Sequence, residues 1–107
     1  MPDKQMDEAF IFSDLIEYQD QAIVSRQILK ENGGNITLFA FDQGQELSEH
    51  SAPFDALLHI FEGEISVSLS KKPHVLFQGQ SIIMPANVPH ALKANKKSKA
   101  LLIMIKK

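Results

Sequence analysis

A chain of 107 residues with a net charge of −2 and no cysteine can bury one core but not two, so a single domain is expected. Without cysteine, disulfides and thiolate metal sites are excluded, and a cytoplasmic location is the simplest expectation. The longest apolar run, Ala100 to Ile105, is far short of the roughly 20 residues of a membrane-spanning helix, so no membrane is expected among the partners.

The chain opens acidic, with Asp3, Asp7, Glu8, Asp14, Glu17 and Asp20 in its first twenty positions. It shows neither the basic start nor the long apolar run of a secretory signal. The segment Phe10 to Tyr18 (FIFSDLIEY) is ambiguous: Ser13 could cap a short helix, while Phe10, Phe12 and the aliphatic residues equally suit a strand packed on the outside of the body. A short strand or an irregular arm is expected, with residues 1–21 an arm of the same domain and 22–107 its body.

Strands and turns fill the rest. Ala22 to Leu29 (AIVSRQIL) is rich in β-branched and aliphatic residues and stops at the glycine turn Lys30-Glu31-Asn32-Gly33-Gly34. Asn35 to Phe41 (NITLFAF) sets Ile36, Leu38 and Ala40 against Thr37, Phe39 and Phe41, so both faces look at least half buried. In Glu64 to Ser70 (EISVSLS), Ile65, Val67 and Leu69 alternate with Glu64 and three serines. Lys71-Lys72-Pro73 is expected to turn the chain, with His74 to Phe77 returning as a hairpin partner and His74 in solvent. Gln80 to Met84, Ala91 to Ala94 and Lys99 to Ile105 read as further strands. Short strands spaced by roughly 8–12 residues are the pattern of an all-β sandwich or barrel. The lysines of the C-terminal part (Lys93, Lys96, Lys97, Lys99, Lys106, Lys107) come without arginine or interleaved aromatics, so they read as solvated charge and not as a nucleic-acid surface.

Chemistry concentrates in two segments, GQELSEHSAPFDALLHIFEG (Gly44 to Gly63) and GQSIIMPANVPHAL (Gly79 to Leu92), each with one histidine framed by glycine and proline: His50 and His90. Gly44, His50, Glu62 and Gly63 in the first, and Gly79, Pro85 and His90 in the second, resemble the two signature motifs of the cupin family. The resemblance covers residues 22–105 and implies a small antiparallel jelly-roll β-barrel carrying histidine metal ligands inside. Two of the family's ligand positions are not histidine and glutamate here but Ala52 and Ala56, the middle glycine of the second motif is Asn87, and its last position is Ala94. Asn tolerates the left-handed backbone nearly as glycine does.

A catalytic metal typically takes about three protein ligands and an open position, and His50 and His90 supply two. Asp55 and His59 stand at odd separations from Ala56, so strict alternation aims both at the opposite face unless a bulge near Pro53 intervenes. His59 is thus the weakest metal candidate, with an outer or subunit-facing position as its plainer reading. Arg26, inside AIVSRQIL, must reach solvent or line a polar cavity. No G-x-S-x-G elbow, phosphate-cradling glycine loop or cysteine nucleophile is present.

The resemblance implies an interior mouth holding His50 and His90 among Phe39, Phe41, Leu58, Ile60 and Met84. Family members of this build include oxygenases, sugar isomerases and non-catalytic binding modules, so the fold alone does not choose a reaction. The leading reading is a pocket for a small, partly apolar organic molecule, needing no cofactor. The second is a metal-dependent oxygenase or isomerase using a divalent transition metal at His50 and His90. The third is a structural or regulatory dimer with a vestigial pocket. The unbroken apolar run in Lys99 to Ile105 needs cover on both faces, which points to a homodimer, with the Phe10 to Tyr18 arm contributing.

Overall fold

The structure, a computed structural model, describes residues 8–106, so the first seven residues of the expected arm and Lys107 lie outside it. Nine strands follow one another: β1 (Ile23–Glu31), β2 (Gly34–Phe41), β3 (Glu46–His50), β4 (Phe54–Glu62), β5 (Glu64–Leu69), β6 (Lys72–Phe77), β7 (Ser81–Met84), β8 (His90–Ala94) and β9 (Ser98–Lys106). They form a five-stranded sheet in the order β1-β2-β9-β4-β7 and a four-stranded sheet in the order β3-β8-β5-β6. All pairings are antiparallel. The architecture is the all-β jelly-roll barrel the sequence implies. No helix among the described residues is long and apolar enough to cross a membrane.

Alternation decides what each sheet buries. In β5, Ile65 and Val67 are fully buried while the intervening serines stay half-exposed, because successive side chains leave opposite faces of a strand. The large sheet sends Phe41, Ala56, Leu58, Ile60, Met84 and Ala100 inward against Ile65, Val67, Leu76 and Leu92 of the small one. That two-layer core positions the site.

The large sheet is apolar on its outer face too. There Leu38 and Ala40 are fully buried under Leu15 and Ile16 of the N-terminal arm, with Phe12, Tyr18, Val24, Phe61 and Leu101 around them. The arm is irregular, apart from one 3-10 turn at Phe12–Asp14. Polar contacts fasten it: Arg26 Nη1 donates to the Leu15 carbonyl (2.9 Å), Lys99 Nζ to the Ser13 carbonyl (2.8 Å), and the Tyr18 hydroxyl to Glu62 Oε2. Arg26 therefore lies on the outer face, holding the arm, and lines no interior cavity. Burial first, then the Glu62 carboxylate, pushes the Tyr18 phenol well above its usual range. Where the arm meets β1, the Gln21 and then the Gln43 backbone N–H groups donate to Asp42 and hold its carboxyl below the usual range.

One turn differs from expectation. The β5–β6 turn is Ser70-Lys71, both at positive φ (48° and 68°), because a two-residue hairpin needs two left-handed residues to match the strand twist. Lys72 and Pro73 are already paired in β6, an edge strand where proline's missing N–H is tolerated. Gly63, at φ 90°, joins β4 to β5 where any Cβ would meet the Lys97 carbonyl oxygen at 2.3 Å, so no other residue fits the space.

Candidate functional site

His50 and His90 are cross-strand partners of β3 and β8. Between Leu47↔Leu92 and His50↔His90, β3 advances three residues while β8 advances two. That extra residue is a β-bulge, and it returns His50 to the same face as Leu47 despite their odd separation. The two imidazoles meet edge-on, with ring centroids 4.3 Å apart and planes at 66°. His90 is buried at 8% exposure, whereas His50 is exposed at the mouth.

Each ring is held by its own strand. His50 Nδ1 lies 2.8 Å from the Ser48 carbonyl and His90 Nδ1 lies 3.1 Å from the Val88 carbonyl. A carbonyl only accepts, so both Nδ1 atoms carry the proton, and Nε2 is the nitrogen each ring has left for a ligand. In the neutral ring that nitrogen is an acceptor.

Behind the pair is a cavity of about 50 Å³ lined by Phe39, Phe41, Leu58 and Met84, together with Leu47, Leu92 and Leu102. The sequence-derived set therefore assembles around the two histidines, except for Ile60. Ile60 is fully buried in the core and lines no part of this cavity, since it sits further along β4 opposite Ala100. Leu47, Leu92 and Leu102 were not singled out from the sequence. The phase of Leu47 relative to His50 depends on the bulge, and an apolar run such as LLIMI does not announce which residues face in.

The remaining candidates are elsewhere. His59 projects from the outer face of β4, where its Nδ1 pairs with Ser81 Oγ at 2.7 Å, so it does not join His50 and His90 as a ligand. The bulges fall at Gln27/Leu29, at Leu47/His50 and at Ile60/Glu62, and none lies where it would turn His59 or Asp55 inward. Asp55 Oδ1 accepts from the Ala86 N–H (2.9 Å). His74 is exposed.

The fold family implies a metal, and the donors present do not meet what one requires. Ala56 faces inward between Met84 and Met104, Ala52 follows the end of β3, and neither offers a donor atom. Among the described residues no group of three or more His, Cys, Asp or Glu side chains is placed to hold a metal ion. Two imidazoles beside an apolar wall fall short of the roughly three protein ligands of a catalytic site. Asn87 adopts φ 65°, the left-handed backbone expected at the glycine position of the second motif.

A family model described as "Cupin domain" matches residues 37–106. A conserved protein of unknown function from Streptococcus pyogenes is 30% identical, with a TM-score of 0.89 over 94% of this chain and 88% of that one. A cupin 2 conserved barrel domain protein from Leptotrichia buccalis is 36% identical, with a TM-score of 0.84 over 88% of this chain and 46% of that one. A cupin superfamily protein from Desulfitobacterium hafniense superposes over all of this chain and 95% of its own at 23% identity and a TM-score of 0.90. No curated protein sequence matches. With both motifs carried on strands that bring His50 and His90 together inside a jelly-roll barrel, and with the family model spanning β2 to β9, this chain belongs to the cupin family.

Proposed function

We propose that the cavity behind His50 and His90 binds a small, mainly apolar organic molecule that donates a hydrogen bond to Nε2 of one or both rings. The observation that carries this reading is the double Nδ1 anchoring: it fixes two acceptors beside a wall of aliphatic and aromatic carbon. A hydroxyl, an enol or an undissociated carboxylic acid fits such a pair directly. A carboxylate fits only when a ring takes up a proton, so anion binding would be coupled to proton uptake. About 50 Å³ holds a few water molecules, whereas an apolar cavity of about 150 Å³ takes up benzene. The occupant is therefore a molecule of few heavy atoms, or a longer one whose tail displaces Leu47 and His50 at the mouth.

The test is a screen of short alcohols, enols and carboxylic acids by protein-observed NMR, repeated on His50→Ala and His90→Ala. Both variants keep the fold and weaken the best binder by about 1–3 kcal/mol, the usual effect of leaving a buried polar partner unmade, or roughly 5- to 150-fold in Kd. Equal affinity in parent and both variants overturns the reading. A parallel variant addresses the missing ligands: Ala52→His with Ala56→Glu adds donors at the two motif positions that are alanine here and is expected to bind transition metal more tightly than the parent, read by calorimetric titration with Mn²⁺ and Ni²⁺.

A further inference from the structure

The loop that joins β7 to β8, Pro85-Ala86-Asn87-Val88-Pro89, carries the carbonyl that sets the tautomer of His90: that of Val88, 3.1 Å from Nδ1. Its shape is not one the chain takes unaided. Asn87 holds φ 65°, a left-handed backbone that costs energy in any residue with a Cβ. Hydrogen bonds keep the loop there. The Asn87 N–H donates to the Ala52 carbonyl (2.7 Å), the Val88 N–H donates to the Pro85 carbonyl (3.3 Å), and the Pro89 carbonyl accepts from the Ser70 N–H (2.9 Å). The N–H of Ala86 donates to a side chain, Asp55 Oδ1 (2.9 Å). Proline has no N–H, so every N–H from residue 85 to residue 89 is bound.

We propose that Asp55 is a positioning residue for His90: by holding Ala86 it keeps the Val88 carbonyl on Nδ1, and so keeps Nε2 the acceptor. Register explains why this residue can do it. Ala56 pairs with Met84 across β4 and β7, so Asp55, one residue earlier, stands abreast of Pro85, where the loop begins. Its side chain is half-buried and ties together residues 31 positions apart in sequence. Freed from Asp55, Ala86 can turn, and with it the peptide planes that lead through Asn87 to Val88. A carbonyl that swings away from Nδ1 lets the neutral ring carry its proton on Nε2 instead, which converts the acceptor into a donor. His50 stands outside this chain of contacts, because its Nδ1 is held by Ser48 on its own strand. Asp55 does not line the cavity, so its influence on a ligand runs through His90. That influence rests on the reading of the cavity as a ligand site, whereas the effect on the tautomer does not.

The test is long-range proton–nitrogen NMR correlation of the imidazole rings in the full chain, free of ligand, and in Asp55→Ala, Asp55→Val and Asp55→Asn. Spectra are taken at about pH 8, above the ordinary imidazole value of about 6.5, with circular dichroism as the control for folding. Valine suits a strand, which guards against a loss of folding peculiar to alanine, and asparagine keeps an acceptor oxygen. In the parent and in Asp55→Asn both rings are expected to carry their proton on Nδ1. In Asp55→Ala and Asp55→Val, His90 is expected to become a mixture of tautomers, its two nitrogen resonances drawn together, while His50 stays as in the parent. The Kd of the hydrogen-bond donor selected by the screen above is expected to rise as the Nδ1–H fraction falls, about twofold at an equal mixture. If the parent binds no screened molecule, the ligand reading falls alone, and the change at His90 still supports the role of Asp55. A His90 that keeps its proton on Nδ1 in the folded alanine and valine variants overturns the proposal. So does a mixture in Asp55→Asn as deep as in Asp55→Ala, or loss of folding in both Asp55→Ala and Asp55→Val, which would make the residue a structural one.

Discussion

The outer faces of the two sheets are built on the same pleat with opposite chemistry. Across the small sheet one row reads Glu46, Lys93, Ser66, Val75; across the large sheet the corresponding kind of row reads Leu29, Ile36, Ile103, Leu57, Ile83. Antiparallel sheets commonly face water on one side, and the small sheet does so, its exposed apolar residues Val75 and Phe77 confined to edge strand β6. The large sheet has two cores, one shared with the small sheet and one under the arm. Strand structure alone thus does not decide which face is wet. What lies outside the sheet decides it.

The contrast can be broken most severely at Leu38, which is fully buried between β2 and the arm. Leu38→Ala is expected to cost about 2–5 kcal/mol in urea unfolding, as a core substitution does, although the residue points away from the barrel interior. A loss under 1 kcal/mol would mean that the arm does not pack as described. Lys99→Met keeps the stem and removes the donor to Ser13. Stability is expected to fall by about 1–2 kcal/mol, with hydrogen exchange accelerating over residues 12–18 and unchanged in the small sheet.

Tyr18→Phe removes the hydroxyl that Glu62 holds, for about 1 kcal/mol at neutral pH. The sign of its pH dependence follows from the raised phenol. The native state keeps the proton more tightly than the unfolded chain, so the stabilisation is complete below the ordinary value near 10 and is lost as pH rises from there towards the folded value. The gap between parent and Tyr18→Phe is expected to narrow above pH 10 in urea titrations; a constant gap would show that the hydroxyl is not buried against Glu62. Smallest is Val75→Thr on the small sheet, expected within about 0.5 kcal/mol of the parent. A larger loss would show that this face, too, is covered.

Much of this was legible in the residues, for reasons that vary by element. EISVSLS declares its faces because serine and aliphatic side chains alternate, and Ile65 and Val67 are buried accordingly. LLIMI declares only that both faces of β9 need cover. That half of the cover is an arm pinned through Arg26 and Lys99 depends on contacts distant in sequence, 86 positions apart for Lys99 and Ser13, which no local pattern carries. His50 and His90 were marked by their glycine and proline surroundings. Their approach to one another required the β3 bulge, a one-residue insertion that leaves no trace in an ELSEH segment.

The position of β9 carries a consequence for how the chain is made. β2 and β4 are not hydrogen-bonded to each other; β9 lies between them and joins β1-β2 to β4-β7. Until residues 98–106 have been synthesised, the strands of the large sheet can pair only as the β1-β2 hairpin and the β4-β7 pair, each with an apolar face and an edge that β9 has yet to cover. At about 5–20 residues per second, the 44 positions from Glu62 to Lys106 leave those edges open for seconds on the ribosome, the interval in which strand edges are most prone to pair with the wrong chain. A chain stopped just short of β9 keeps both of the edges that β9 covers, one on β2 and one on β4.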